Sequence, residues 1–307
     1  LYAAVSSTNA RESRREANAE NGMTVGEGQA EARTRLAHLG TDAALDAARV
    51  LEAVTGRSRA WLLAHGEAAL RIEQRARFEA MLARRAAGEP LAYVLGRAGF
   101  YGRSFAVTPD VLVPRPESEL LVELALRFVK GRSSPEAPSI ADVGTGSGIL
   151  AVTLALQLPG AQLTALEVSE AALALAQRNA RAYGLAGRIT FVAGDLFASL
   201  APSVRFDLVV ANLPYVRTCD LALPPDPTSF EPRLALDGGP DGLSVYRQLL
   251  AGAPQHLSEQ GALLLEAGPD TASALAGLAE AAFGARAHVA VERDYAGRER
   301  VVSVGLA

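Results

Sequence analysis

Ile140-Ala141-Asp142-Val143-Gly144-Thr145-Gly146-Ser147-Gly148 is a short apolar run that breaks into alternating glycines. The run predicts a buried strand, the glycines a turn, and the apolar residues that follow a helix start. Glycine lets the backbone approach a ligand, and the first turn of a helix offers N–H groups without intrahelical partners. The usual dinucleotide pattern is G-x-G-x-x-G, whereas Gly144, Gly146 and Gly148 read G-x-G-x-G and Ile149 stands in the place of the third glycine. That spacing, with no placed acid–base residue, disfavours a nicotinamide dehydrogenase.

Outward from this stretch, strand and helix patterns alternate. Strands are expected at 139–143, 162–167, 189–193, 206–211, 260–266, 286–292 and 299–305, and helices at about 148–157, 169–183, 242–256 and 270–282. Such alternation forces right-handed crossovers and a mostly parallel sheet. Only Asp294 to Arg298 separates the last two strands, so they form an antiparallel hairpin. The expected fold class is α/β and Rossmann-like.

In open sheets of this kind ligands bind outside the C-terminal strand ends, and several ends carry suitable groups. Glu167, 23 positions after Gly144, closes the second strand, where a carboxylate can accept from both hydroxyls of a ribose. Asp195 and Leu196 follow the third strand, although Asp195 also suits a helix N-cap. The fourth delivers Asn212-Leu213-Pro214-Tyr215, which reads either as an ordinary turn or as a polar amide placed to touch a reacting group.

The rest of the chain sets the context. Residues 1–25 lack apolar periodicity and read as a disordered tail, and Met23 marks an expected start with the first 22 residues an upstream extension. From Gln29 to about Gly88 apolar residues recur at helical spacing, with starts at Thr41-Asp42 and Ser58-Arg59 and ends at Gly40, Gly56 and Gly66. The expected units are a tail at 1–25, a helical domain at 26–88 that either contacts a macromolecular substrate or only packs, a β-hairpin linker at 89–115 with aromatic residues either side of Gly102-Arg103, and the α/β domain at 116–307. His38, His65, His256 and His288 fall near helix ends or on an edge strand and are assigned no chemistry. A single cysteine, Cys219, excludes an intramolecular disulfide and a multi-cysteine metal site, and no ligand spacing predicts a metal. A formal charge of −4 argues against a long nucleic-acid backbone as main partner. No apolar run approaches the ~18 residues a membrane helix requires, and no secretory signal is read, so a cytoplasmic location is expected.

The glycine loop resembles the first motif of Rossmann-like S-adenosylmethionine-dependent methyltransferases. In that class the loop lies under the amino-acid end of the cofactor; Asp142, Gly144, Thr145, Gly146, Ser147 and Gly148 would form it, Glu167 would take the ribose, and Asp195 with the Leu196 N–H would read the adenine edge. Asn212-Leu213-Pro214-Tyr215 resembles the (Asn/Asp/Ser)-Pro-Pro-(Tyr/Phe) signature of enzymes that methylate planar nitrogen, with Leu213 where proline is usual. Asn212, Leu213, Pro214 and Tyr215 are thereby the catalytic candidates: the Asn212 oxygen and the carbonyl of Leu213 each accept one N–H, and Tyr215 packs on the planar group. The flanks Leu91–Glu119 and Phe230–Leu243 are similar to those of the bacterial release factor glutamine methyltransferase family, with Phe100, Arg115, Pro116 and Glu117 at the mouth for substrate. The resemblance implies methyl transfer to the N5 amide of a glutamine in peptide chain release factors, with S-adenosylmethionine as donor, no metal and no stable nucleic-acid partner. An N6-adenine methyltransferase acting on DNA or RNA is the alternative reading. Asp220, Asp226 and Glu231, irregularly spaced in a long proline-rich loop, are expected to be solvated.

Overall fold

The computed structural model describes residues 22–40, 43–132, 137–223 and 226–306. Two compact units meet in sequence between Leu95 and Gly96.

The first unit is helical: α1 Val25–Leu36, α2 Ala43–Thr55, α3 Arg59–Ala64, α4 Ile72–Ala86 and α5 Leu91–Leu95. Helix α1 starts inside the stretch expected to be a tail. The cause is a capping box: Thr24 Oγ1 accepts from Glu27 N at 3.2 Å, and Glu27 Oε2 accepts from Thr24 N at 2.9 Å. Residues 1–21 and the expected start at Thr41-Asp42 lie outside the described residues. Leu36, Val50, Leu51, Leu62, Phe78 and Leu82 form the core, and Leu91 and Leu95 pack on it. Residues 91–95, read as linker, are therefore a helix of this unit. Inside it Arg85 Nε meets Asp46 Oδ2 at 2.8 Å, with both side chains nearly excluded from water.

The second unit opens with the expected hairpin, β1 Arg97–Phe100 and β2 Arg103–Ala106. Its turn is Tyr101-Gly102, both at positive φ, one residue earlier than the Gly102-Arg103 centre expected. Far from being a free linker, the hairpin is knitted into the unit. Asn179 accepts from Ala106 N at 2.9 Å and donates to the carbonyls of Ala106 at 3.0 Å and Ser147 at 2.8 Å. There follow α6 Glu119–Gly131, β3 Ser139–Val143, α7 Ile149–Gln157, β4 Gln162–Glu167, α8 Glu170–Ala182, β5 Ile189–Ala193 and β6 Phe206–Ala211. The chain ends with α9 Ser244–His256, β7 Leu257–Glu266, α10 Ala272–Phe283, β8 Ala287–Arg293 and β9 Glu299–Leu306. The seven strands run in the order β5-β4-β3-β6-β7-β9-β8, parallel except for β9, which is antiparallel to both neighbours.

Alternate residues of the central strands feed two apolar layers: Leu208, Val210, Ala262 and Leu264 face one side, and Val209, Ala211, Leu263 and Leu265 the other. Burial on both faces is why these strands are apolar at successive positions. Strand order reverses between β3 and β6, which places the crevice for a ligand at their C-terminal ends.

Removing one partner of a buried ion pair leaves the other charge uncompensated. Asp46→Ala is expected to lower the stability of the helical unit by about 3 kcal/mol in denaturant unfolding, and replacing both Asp46 and Arg85 with apolar residues to recover most of it.

Candidate active site

Parallel register aligns Val143 with Ala211 and Ala211 with Leu265. The next residues of β3 and β6, Gly144 and Asn212, therefore leave the sheet side by side, next to Glu266, the last residue of β7. Beside them lies a cavity of about 480 Å³, lined by residues that include Arg115, Gly144, Gly146, Glu167, Asp195, Leu196, Asn212, Leu213 and Pro214. Its size is that of a small-molecule or cofactor site.

The glycine loop is held from behind. Asp142, fully buried, accepts from Thr145 Oγ1 at 2.7 Å and from Ala151 N at 3.0 Å through one oxygen, tying the loop to the first turn of α7. Burial pushes its carboxyl up to about 6, against the lowering pull of these bonds, and its other oxygen has no partner. Asp142 organises the loop and does not line the cavity. Gly144, Gly146 and Gly148 all have positive φ. A Cβ on Gly148 would press on Ala176 of α8 at 3.0 Å, whereas one on Gly146 would meet no heavy atom nearer than 4.0 Å. At Gly146 the bare backbone faces open space, a cradle that a side chain would fill. Glu167 accepts from Gly146 N at 2.8 Å and Ser169 N at 2.9 Å, and each of its oxygens keeps a lone pair beside the cavity. Leu196 adopts φ 48°, a left-handed conformation uncommon outside glycine, at the cavity wall. Cradle, carboxylate and backbone turn fit a nucleoside that carries an amino-acid tail.

At the end of β6, Asn212 Nδ2 donates to Ser118 Oγ at 3.0 Å. Oδ1 is thereby left as the acceptor. Leu213 is buried, with its side chain against Gly144: a Cβ there would lie 2.7 Å from Leu213 Cδ2. Leu213 N–H donates to the Tyr246 hydroxyl at 3.2 Å, a bond proline could not make. That hydroxyl lies within reach of the carbonyls of both Leu213 and Glu266. It carries one proton and sits closer to Glu266, so the Leu213 oxygen retains accepting capacity. Pro214 lines the cavity but Tyr215 does not. The Tyr215 hydroxyl is instead 3.5 Å from Glu266 Oε1, and burial pushes the phenol up to about 12, keeping it neutral.

The expected mouth residues divide. Arg115 lines the cavity and pairs with Glu231 at 2.6 Å; Glu231 is buried and ion-paired, not solvated as expected, because Arg115 reaches it across 116 positions of sequence. Pro116 and Glu117 lie off the cavity wall, in the one-turn 3-10 helix Pro116–Ser118, whose last residue Ser118 does line the cavity. Phe100 lies in the core 6.4 Å from Phe105, since the strand period turns it inward. His256 is likewise buried, stacked on Phe197 with Nδ1 3.0 Å from the Val204 carbonyl. No sequence motif singles out Ser118, Asn179 or Glu266; for Glu266 the position at a strand end is a usable signal. Among the described residues no group of three or more His, Cys, Asp or Glu is arranged to hold a metal ion, and no helix is long and apolar enough to cross a membrane.

The sheet order, the C-terminal antiparallel strand and the glycine loop define a class I S-adenosylmethionine-dependent methyltransferase. A family model described as "PrmC N-terminal domain" matches residues 27–96, and one described as "Methyltransferase domain" matches 140–223. The chain is 45% identical to the release factor glutamine methyltransferase of Bordetella pertussis, over 84% of this chain and 93% of that protein. It is 46% identical to that of Moorella thermoacetica, over 91% and 97%. Among solved structures it resembles a T. thermophilus 16S rRNA N2 G1207 methyltransferase in complex with AdoMet and guanosine, at 23% identity and a TM-score of 0.50, over 69% of this chain and 50% of that one, which supports the fold. The chain belongs to the release factor glutamine methyltransferase family.

Gly144 has both a positive φ and no room for a Cβ. Gly144→Ala is expected to weaken cofactor binding at least tenfold in a titration, by about 1.4 kcal/mol or more, because the backbone or Leu213 must shift.

Proposed function

We propose that this chain transfers the methyl group of S-adenosylmethionine to the N5 side-chain amide of the glutamine in the Gly-Gly-Gln loop of peptide chain release factors, with Asn212 and the Leu213 carbonyl holding the amide nitrogen. The observation that carries the reading is the Asn212 amide, oriented by Ser118 so that its oxygen is available at a strand end next to the glycine loop.

An amide nitrogen is a poor nucleophile because its lone pair is delocalised into the carbonyl. With one N–H accepted by Asn212 Oδ1 and the other by the Leu213 oxygen, the nitrogen is held in a single orientation and the positive charge that grows on it is stabilised. The bound cofactor supplies a methyl already activated by its sulfonium, so the proposal calls on no metal. After transfer the nitrogen gives up one proton and S-adenosylhomocysteine remains. Asp142, Thr145, Gly146 and Ser147 would hold the loop under the amino-acid end, Glu167 the ribose hydroxyls, and Asp195 with the Leu196 N–H the adenine edge. Pro214 closes the wall beside the amide. Tyr215, hydrogen-bonded to Glu266 through its hydroxyl, supports this position from behind the loop. Arg115 and Glu231 tie the loop that follows the signature to the cavity edge. The helical unit contacts the release factor, and the net negative charge suits a cytoplasmic enzyme with a protein substrate and no stable nucleic-acid partner.

Labelled methyl transfer is expected into purified release factor, and to vanish when the loop glutamine is replaced. Label entering only DNA or RNA would overturn the reading. Asn212→Ala is expected to lower kcat by at least ~100-fold while cofactor binding survives.

A further inference from the structure

We infer that Ser118 and Glu266 are positioning residues for this reaction: the Ser118 hydroxyl accepts from Asn212 because its own proton points to the Glu266 carboxylate, which fixes the end of the Asn212 amide that meets the substrate. The inference rests on the reading of Asn212 as the amide holder.

A carboxamide is nearly symmetric in shape, so packing alone does not select its orientation. Turned by half a rotation, Asn212 would offer Nδ2 to the substrate nitrogen, a donor facing a donor. Hydrogen bonding must choose, and Ser118 Oγ at 3.0 Å from Nδ2 is the group that does so. A hydroxyl has one proton. While that proton serves Glu266, Ser118 can only accept from Asn212. Both Ser118 and Glu266 are fully buried, and Glu266 Oε2 has no hydrogen-bond partner, an acceptor that calls for a donor. The Ser118 hydroxyl favours the charged form of the carboxylate.

Protonating Glu266 would place a donor at the far end of the chain. Ser118 could then turn its proton to Asn212, and the selection would be lost. The surroundings set where that happens. Ser118 and Glu117 face Glu266 from the 3-10 turn, Tyr215 from the loop after β6, and Arg300 from β9, itself 3.5 Å from Asp294. The Tyr246 hydroxyl of α9 takes the Glu266 backbone carbonyl. Burial is the largest influence and pushes the carboxyl up to about 7, outweighing Ser118 and Arg300.

The test measures transfer to release factor by the full-length wild type, Ser118→Ala, Glu266→Gln and Asn212→Ala over roughly pH 6 to 9. Ser118→Ala is expected to lower kcat by on the order of 10- to 100-fold while KM for release factor and cofactor affinity change less than about twofold. Wild-type kcat is expected to fall as pH drops through about 7, and Glu266→Gln to flatten that limb. Wild-type kcat in Ser118→Ala beside an impaired Asn212→Ala overturns this inference and leaves the proposed function standing. Unchanged kcat in Asn212→Ala removes the function reading itself. If Ser118→Ala loses its cooperative melting transition, the Glu266→Gln profile decides: a retained acid limb overturns the inference.

Discussion

Everything at the site depends on one constraint of parallel register. Val143 pairs with Ala211, and Ala211 with Leu265, so β3 and β6 stop at the same level and release Gly144 and Asn212 abreast, next to Glu266, the last residue of β7. Hydrogen bonds between strands fix that level, and a slip of one residue would exchange the two apolar faces of β6. The burial that stabilises the sheet therefore also sets the distance between donor loop and amide holder. No separate device is needed to bring them together.

Polar groups then refine what register makes approximate. Asp142 and Glu266 are carboxylates buried against their solvation preference, and each directs neighbouring groups: Asp142 the glycine loop, Glu266 the hydroxyls of Tyr215 and Ser118. Keeping such charges in a low-dielectric interior costs stability at neutral pH. Sites that must hold a small group in one orientation commonly carry costs of this kind.

Strands, crossovers and the glycine loop were legible because their signals are local: period, glycine spacing and the residue at each strand end. β7 alone began earlier, at Leu257, where polar Ser258 and Glu259 mask its start. The capping box at Thr24-Glu27 was also local but lay in polar sequence, so the absence of apolar periodicity concealed α1. What stayed hidden is what tertiary structure assembles. Nothing near Ser118 predicts that it meets Asn212 94 positions away, and Glu231 looked solvated because its arginine lies 116 positions upstream. The motifs point Phe100 and Tyr215 at the substrate, yet Phe100 is buried in the core, and Tyr215 is half-buried on the second apolar layer with its hydroxyl toward Glu266.

Leu213 wedged on Gly144 has a wider consequence. Donor loop and acceptor loop share a close steric boundary, so a change in one is felt in the other: a side chain at 144 must displace that of Leu213, and a proline at 213 gives up the bond to Tyr246. The two loops should evolve as one unit, and a change that tunes the fit of glutamine will be felt first by the methyl donor.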